Sequence, residues 1–208
     1  PENIAVDVIR AISKADDGTL WLGTSGKGLT KIDLDRDEYY TYTFQNSEIA
    51  SNRILSLLHS KDTLWIGTQD QGLSIFTNDQ FKNFNHVTDM SFQVAAVWTI
   101  IKDSNDGLWL GTKYLGLVQF DPIQGIVASI STDQYHNKVE NIRTIAEGRN
   151  QTLWLGTDDT GLYSYRPGSD RLEKITGISD KIKSLYYQSD TDILWIGTNG
   201  GGLVYYDR

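Results

Sequence analysis

The chain has 208 residues, 39% hydrophobic and 22% charged, and its six Trp and eleven Tyr exclude a disordered tail. A formal net charge of −8 argues against the basic stripe that nucleic-acid binding requires, so no nucleic-acid partner is expected. Without Cys there are no disulfides, thiol catalysis or Cys-type zinc sites, and without an 18-residue apolar run this segment has no membrane insertion of its own.

In chain order, the first predicted strand is "VIRAIS" at 8–13. The turn "KADDGT" follows, then "LWLGT" at 20–24, a Gly-bearing turn, "GLTKID" at 28–33 and "EYYTYTF" at 38–44. The same sentence is repeated as "ILSLLH", "LWIGT", "GLSIFT" and "QFKNFN" between 54 and 85. It recurs as "VWTIIK", "LWLGT", "GLVQFD" and "GIVASIS" between 97 and 131, with "KDSNDG" as its first turn. A fourth copy reads "IRTIAE", "LWLGT", "GLYSYR" and "RLEKIT" between 142 and 176. The fifth, "IKSLYY", "LWIGT" and "GLVYYD", lacks the last strand.

The motif starts at Leu20, Leu64, Leu108, Leu153 and Leu194, at separations of 44, 44, 45 and 41 residues. Helical repeats share this period, but four short strands joined by Asp-, Asn- and Gly-rich turns describe β-propeller blades. The expected fold is all-β, a single β-propeller segment over 1–208. Its approximate blades are 8–46, 53–86, 96–132, 141–176 and 181–208, the last without its outer strand.

Both faces of a blade pack on neighbours, so both alternating sets of side chains can be apolar. Trp21, Trp65, Trp109, Trp154 and Trp195 are therefore read as packing residues filling the wedge between blades. Each indole N–H is expected to reach a backbone acceptor. Gly23, Gly67, Gly111, Gly156 and Gly197 are expected to admit close approach, and Gly28, Gly72, Gly116, Gly161 and Gly202 to adopt positive φ.

Recognition is expected where the copies differ. The second-to-third turns vary: Ser25–Lys27, Gln69–Gln71, Lys113–Leu115, Asp158–Thr160 and Asn199–Gly201. Among them Lys113 and the bulky Tyr114 stand out as rim candidates. The second position of each innermost strand reads Arg10, Leu55, Trp98, Arg143 and Lys183 and is expected to face the upper channel. Two Arg, a Lys and a Trp suit an acidic or hydroxyl-rich ligand, through forked hydrogen bonds and stacking. Pairing of these cations with acids such as Glu140 or Asp180 is the competing reading. The longer connection from Asn85 to Ala96, with Met90 and Phe92, is read as a plug of the rim. His59, His86 and His136 lack metal-ligand spacing, and "ADDG" and "SNDG" read as turns, so no metal, cofactor or catalytic residue is expected.

With "LWIGTNGGGLVYYD" and strands such as "VWTIIKDSNDG" in place from Ile9 to Asp207, the chain resembles the two-component-regulator propeller repeat family. That resemblance implies seven-bladed propellers, often in tandem, ahead of a β-sandwich, a membrane span and cytoplasmic kinase modules. It implies a non-enzymatic, periplasmic sensor segment of a hybrid histidine kinase, binding an oligosaccharide or glycan fragment and signalling through the rest of the sensor chain. Five blades shaped for sevenfold closure are expected to be part of a larger propeller, with exposed end faces that favour a homodimer; the alternative is an unusual closed ring of five blades. The alternatives are a propeller lyase or hydrolase resembling streptogramin lyases, and a protein-docking scaffold without a small ligand.

Overall fold

The structure, a computed structural model, describes residues 7–84, 95–179 and 181–207. His86, Met90, Phe92 and Asp180 lie outside the described residues. Among the described residues nineteen strands form five antiparallel sheets, and the only helical element is a 3-10 turn at Arg149–Gln151. The chain divides into two compact units, 1–100 and 101–208, with the division inside one strand.

Unit 1 holds the sheet β1 (Ile9–Lys14), β2 (Leu20–Thr24), β3 (Leu29–Asp33) and β4 (Glu38–Tyr42). Its second sheet is β5 (Ile54–Ser60), β6 (Thr63–Thr68), β7 (Leu73–Thr77) and β8 (Gln80–Asn83). The division falls in β9 (Val97–Lys102), which is followed by β10 (Leu108–Thr112), β11 (Leu117–Asp121) and β12 (Gly125–Ile130) in the third sheet. Unit 2 continues with β13 (Ile142–Glu147), β14 (Leu153–Thr157), β15 (Leu162–Tyr165) and β16 (Glu173–Ile175). The last sheet has three strands, β17 (Ile182–Gln188), β18 (Ile193–Thr198) and β19 (Leu203–Asp207). Strands are in sequence order within each sheet, which is the meander of a propeller blade.

The Thr of each "LW[IL]GT" closes the hairpin that follows it. Thr24 donates from both its N–H (3.1 Å) and its Oγ1 (3.0 Å) to the Gly28 carbonyl, and Oγ1 accepts from Lys27 N–H at 2.8 Å. The paired donation recurs from Thr68, Thr112, Thr157 and Thr198 to Gly72, Gly116, Gly161 and Gly202. Gly28 sits at φ 82°, and a Cβ there would strike the Tyr42 carbonyl. Left-handed backbone and crowding both require glycine at this corner.

The Trp of the motif lies between blades. In unit 1, Trp21 is buried and meets Phe76 of the next sheet edge-on at 5.2 Å. In unit 2, Trp109 meets Tyr165 and Trp154 meets Tyr206, each at 5.5 Å. Beside these rings the sheets nearly touch: a Cβ on Gly23 would lie 2.5 Å from Ile54 Cγ2, and one on Gly156 would overlap Ile182. The indole N–H expectation is corrected. Trp109 donates to Asp103 Oδ2 at 2.7 Å and Trp195 to Gln188 Oε1 at 2.9 Å, side-chain acceptors rather than backbone ones. The reason at Trp109 is local. Asp103 Oδ1 already caps the turn by accepting from Asn105 and Gly107 N–H, which leaves its other oxygen aimed at the indole.

The loop from Ser131 to Glu140, between β12 and β13, is organised by buried Asp133. Its carboxylate accepts from the N–H groups of Tyr135 (2.9 Å) and Asn137 (2.8 Å) and from Asn137 Nδ2 (3.1 Å). Burial pushes the Asp133 carboxyl up, but these hydrogen bonds outweigh it and the net shift is down. A depressed folded pKa stabilises the fold above the unfolded value, and that contribution is lost as pH falls through the folded one. Asp133→Asn keeps an acceptor without the charge. The stability gap between wild type and Asp133→Asn is therefore expected to shrink as pH drops below about 4, measured by urea melts. Gly156→Ala is expected to cost about 1–3 kcal/mol by forcing two sheets apart, and an unchanged urea midpoint would contradict the close-packing account.

Candidate functional site

The second position of the innermost strand proves to be a structural device. In four sheets the pairing of innermost and second strands slips by one residue at that position, between Ile9 and Ala11, Ile54 and Ser56, Ile142 and Thr144, and Ile182 and Ser184. Arg10, Leu55, Arg143 and Lys183 are thus the extra residues of four β-bulges. A bulge removes its residue from the ladder and re-aims the side chain, which frees that position to vary without disturbing the pairing around it. Trp98 holds the same place in β9 and is half-buried.

In unit 1, Arg10 donates from Nε to Ser25 Oγ at 2.8 Å, and Ser25 N–H returns to the Val8 carbonyl at 3.0 Å. The bulge residue therefore meets the variable turn of its own blade. In the second blade Leu55 leaves that role to Arg53, one step before the strand, which pairs with Asp70 at 3.6 Å. Asp70 also accepts from Ser51 Oγ at 2.6 Å. The reading of second positions missed Arg53, because it lies just outside the strand that was being aligned.

Unit 2 joins its candidates in a continuous stripe. Tyr114 N–H donates to the Glu140 carbonyl at 2.9 Å, and Lys113 bridges Asn141. Asn141 accepts from Asp158 N–H through its carbonyl and donates from Nδ2 to Asp159. Asp158 in turn pairs with Lys183 from the bulge of the next blade. Half-buried Arg143 stands in the bulge two residues after Asn141. Lys113, Tyr114, Arg143 and Lys183 thus share one run of loops and bulges. Lys183 is paired, with Asp158 in the place that Glu140 or Asp180 was expected to take, while Glu140 pairs with Lys138 at 3.1 Å. Both members of the Lys183–Asp158 pair are more than a third exposed. Such a pair contributes ~0–1 kcal/mol and yields readily to a competing anion.

Unit 1 also holds a cleft of about 370 Å³ between its first-strand turns, lined by Asp17, Lys31, His59, Asp62 and Asp79 over Trp21. Asp17 is held below the usual carboxylate range by hydrogen bonds from Thr19. Lys31 Nζ covers the Trp21 ring at 5.6 Å. Turn residues from two repeats build this cleft, so a reading that took the copies one at a time could not assemble it.

The chain is similar in structure to extracellular domains of bacterial two component systems. The extracellular domain of the putative hybrid two component system BT4673 from B. thetaiotaomicron matches with TM-score 0.79 and 24% identity, over all of this chain and 28% of that one. That of BT3049 from the same organism matches with TM-score 0.72 and 22% identity, over 95% of this chain and 26% of that one. PorZ, a surface component of the type-IX secretion system of Porphyromonas gingivalis, matches with TM-score 0.71 and 16% identity, over 95% and 32%. These likenesses establish the propeller fold, and the chain spans no more than about a third of the length of each of the three. No curated relative matches. In sequence, residues 3–26 and 91–114 match the Two component regulator propeller family. The described parts of the two matched segments include β1 and β2 of the first sheet and β9 and β10 of the third.

Proposed function

We propose that this chain is a ligand-sensing propeller segment from the extracytoplasmic, periplasmic side of a two-component regulator. It binds an oligosaccharide or glycan fragment and relays occupancy to output modules, including a histidine kinase, elsewhere in the sensor chain. It is a binding domain and not an enzyme. The observation that carries the reading is the unit 2 stripe, where residues that differ between copies converge while the hairpins beneath them stay constant. Arg143 and Lys183 offer donors to a carboxylate, sulfate or hydroxyl pair, and in unit 1 Arg10 and Trp98 occupy the corresponding positions. Binding alone moves no equilibrium, so signalling requires the ligand to favour one of two arrangements of the sensor.

Tyr114 supports the placement of the site. It sits at φ 85°, a region costly for an aromatic residue, whereas the fifth copy has Gly200 here at φ 95°. The ring is exposed, with Lys113 Nζ 4.8 Å from its centroid. A strained, solvent-facing aromatic is retained at a cost to stability, which fits a contact residue better than a packing one. Tyr114→Gly is expected to melt no lower than wild type while weakening ligand binding, whereas Tyr114→Val melts lower. Calorimetry against neutral and acidic oligosaccharides is expected to show binding that falls about tenfold or more, about 1.4 kcal/mol, in Arg143→Ala and Lys183→Ala. Binding untouched by both changes and by Trp98→Ala and Arg10→Ala would sink this site. Silence toward every glycan would favour the docking scaffold, and turnover of a lactone or glycan would favour the enzyme.

A further inference from the structure

We propose that the cleft in unit 1 is a second binding site, for a small ligand of the amino-acid class that carries both a carboxylate and an ammonium group. The proposal does not rest on the unit 2 stripe. The cleft lies between two consecutive blades, at the end opposite their second-to-third turns, and both of its walls belong to unit 1. Its origin is a missing acceptor. The residue after the innermost strand opens the first turn of a blade. Ala15 N–H donates to the Thr19 carbonyl (2.8 Å), Asp103 N–H to that of Gly107 (2.9 Å) and Gly148 N–H to that of Thr152 (2.7 Å). The motif indole directs its N–H toward this residue. Trp109 donates to Asp103 Oδ2, and a Cβ on Gly148 would lie 2.5 Å from Trp154 Nε1. Trp21 packs as those two do, edge-on to an aromatic ring of the next blade, at 60° against 64° and 61°. Its N–H is therefore aimed at Ala15, whose methyl group accepts nothing. The Trp21 side chain is only 4% exposed, and its N–H meets no acceptor among the described residues.

A second exchange keeps the cleft open. In unit 2, Glu147, the sixth residue of β13, reaches back to the first turn of the blade before it and accepts from Ser104 N–H (2.8 Å) and Oγ (2.6 Å). His59 is the sixth residue of β5, and among the described residues its imidazole makes no hydrogen bond. Only its backbone N–H crosses to the first blade, at 3.1 Å from Ser13 Oγ. What remains is about 370 Å³ with an unused indole donor on its floor and Lys31 Nζ 5.6 Å from the centre of the same ring. Asp62 and Asp79 line the wall that the second blade supplies. The indole donor and the Lys31 ammonium call for a carboxylate, the group that Asp103 supplies in the third blade. The two acids call for a cation, and an ammonium group brings three donors. A ligand with one charge alone satisfies one side of the cleft and leaves the other desolvated without a partner. The volume suits an amino acid or a dipeptide.

The six Trp give six indole signals in a nitrogen–proton correlation spectrum, and the Trp21 signal, assigned through bonds, reads this site alone. Glutamate, lysine, γ-aminobutyrate and glycylglycine, each raised to about 10 mM, are the probes, with acetate and methylammonium as single-charge controls. At least one probe is expected to move the Trp21 signal downfield and saturably, at a concentration about tenfold or more below that at which either control acts. Lys31→Ala is expected to weaken that response about tenfold. Ala15→Asp restores the acceptor of the third blade. Its Trp21 signal is expected to stand downfield without any probe and to respond to none, in a protein that melts no lower than wild type. Circular dichroism checks that Ala15→Asp folds, and Ala15→Asn repeats the test if it does not. A Trp21 signal that none of the four probes moves, controls that act as well as the probes, or an acceptor variant that responds like wild type would each overturn the proposal.

Discussion

The contact on which everything else rests is the near touch of consecutive sheets at the motif glycine. A sheet that buries both faces needs a neighbour close enough for side chains to interlock, and a Cβ at Gly23 or Gly156 would prevent it. With that gap closed, Ile54 and Ile182 are shut off from water entirely. The indole alongside fills the wider part of the wedge. Each fully buried aliphatic side chain contributes ~1.5–3 kcal/mol, so one junction, with a Trp and several aliphatics, outweighs any ion pair on the rim. This ordering of magnitudes explains why the five copies agree in their apolar letters and disagree in their charges.

The same hairpins insulate the variable residues from the scaffold. Thr and Gly close each second-to-third turn with their own hydrogen bonds, so the three residues between them carry little of the turn's geometry. At the start of four of the blades the bulge does the equivalent work, adding a residue that the ladder does not use. One end of the blade thus offers two independent sites of variation side by side. In unit 2 they are linked across three blades through Glu140, Asn141 and Asp158.

The fold could be read from the chain because its signals are local and repeated. Each period has one motif Trp, one motif Gly beside it, one positive-φ Gly and Asp- or Asn-bearing turns, and each of these needs only its neighbours to be interpreted. The candidate site was harder, for physical reasons. Alternation placed Arg10, Arg143 and Lys183 at matching positions, but the bulge that singles them out is a backbone slip with no composition of its own. The pairing of Lys183 with Asp158 joins residues 25 apart in different blades, and nothing in either repeat alone specifies it. The acceptor for Trp109 was misjudged for a similar reason. Asp103 reads as a turn residue, and its second oxygen is committed only once the turn has formed.

Strain at Tyr114 sets that residue apart from the packing positions. The sequence keeps there a side chain that the backbone disfavours, and of the five copies only the fifth, with Gly200, also takes positive φ at this position. Under the proposed function, contact with the ligand offsets that cost. The packing positions show the opposite pattern: Gly23 and Gly156 are the residues that the close approach of the sheets itself requires, so local geometry alone accounts for them.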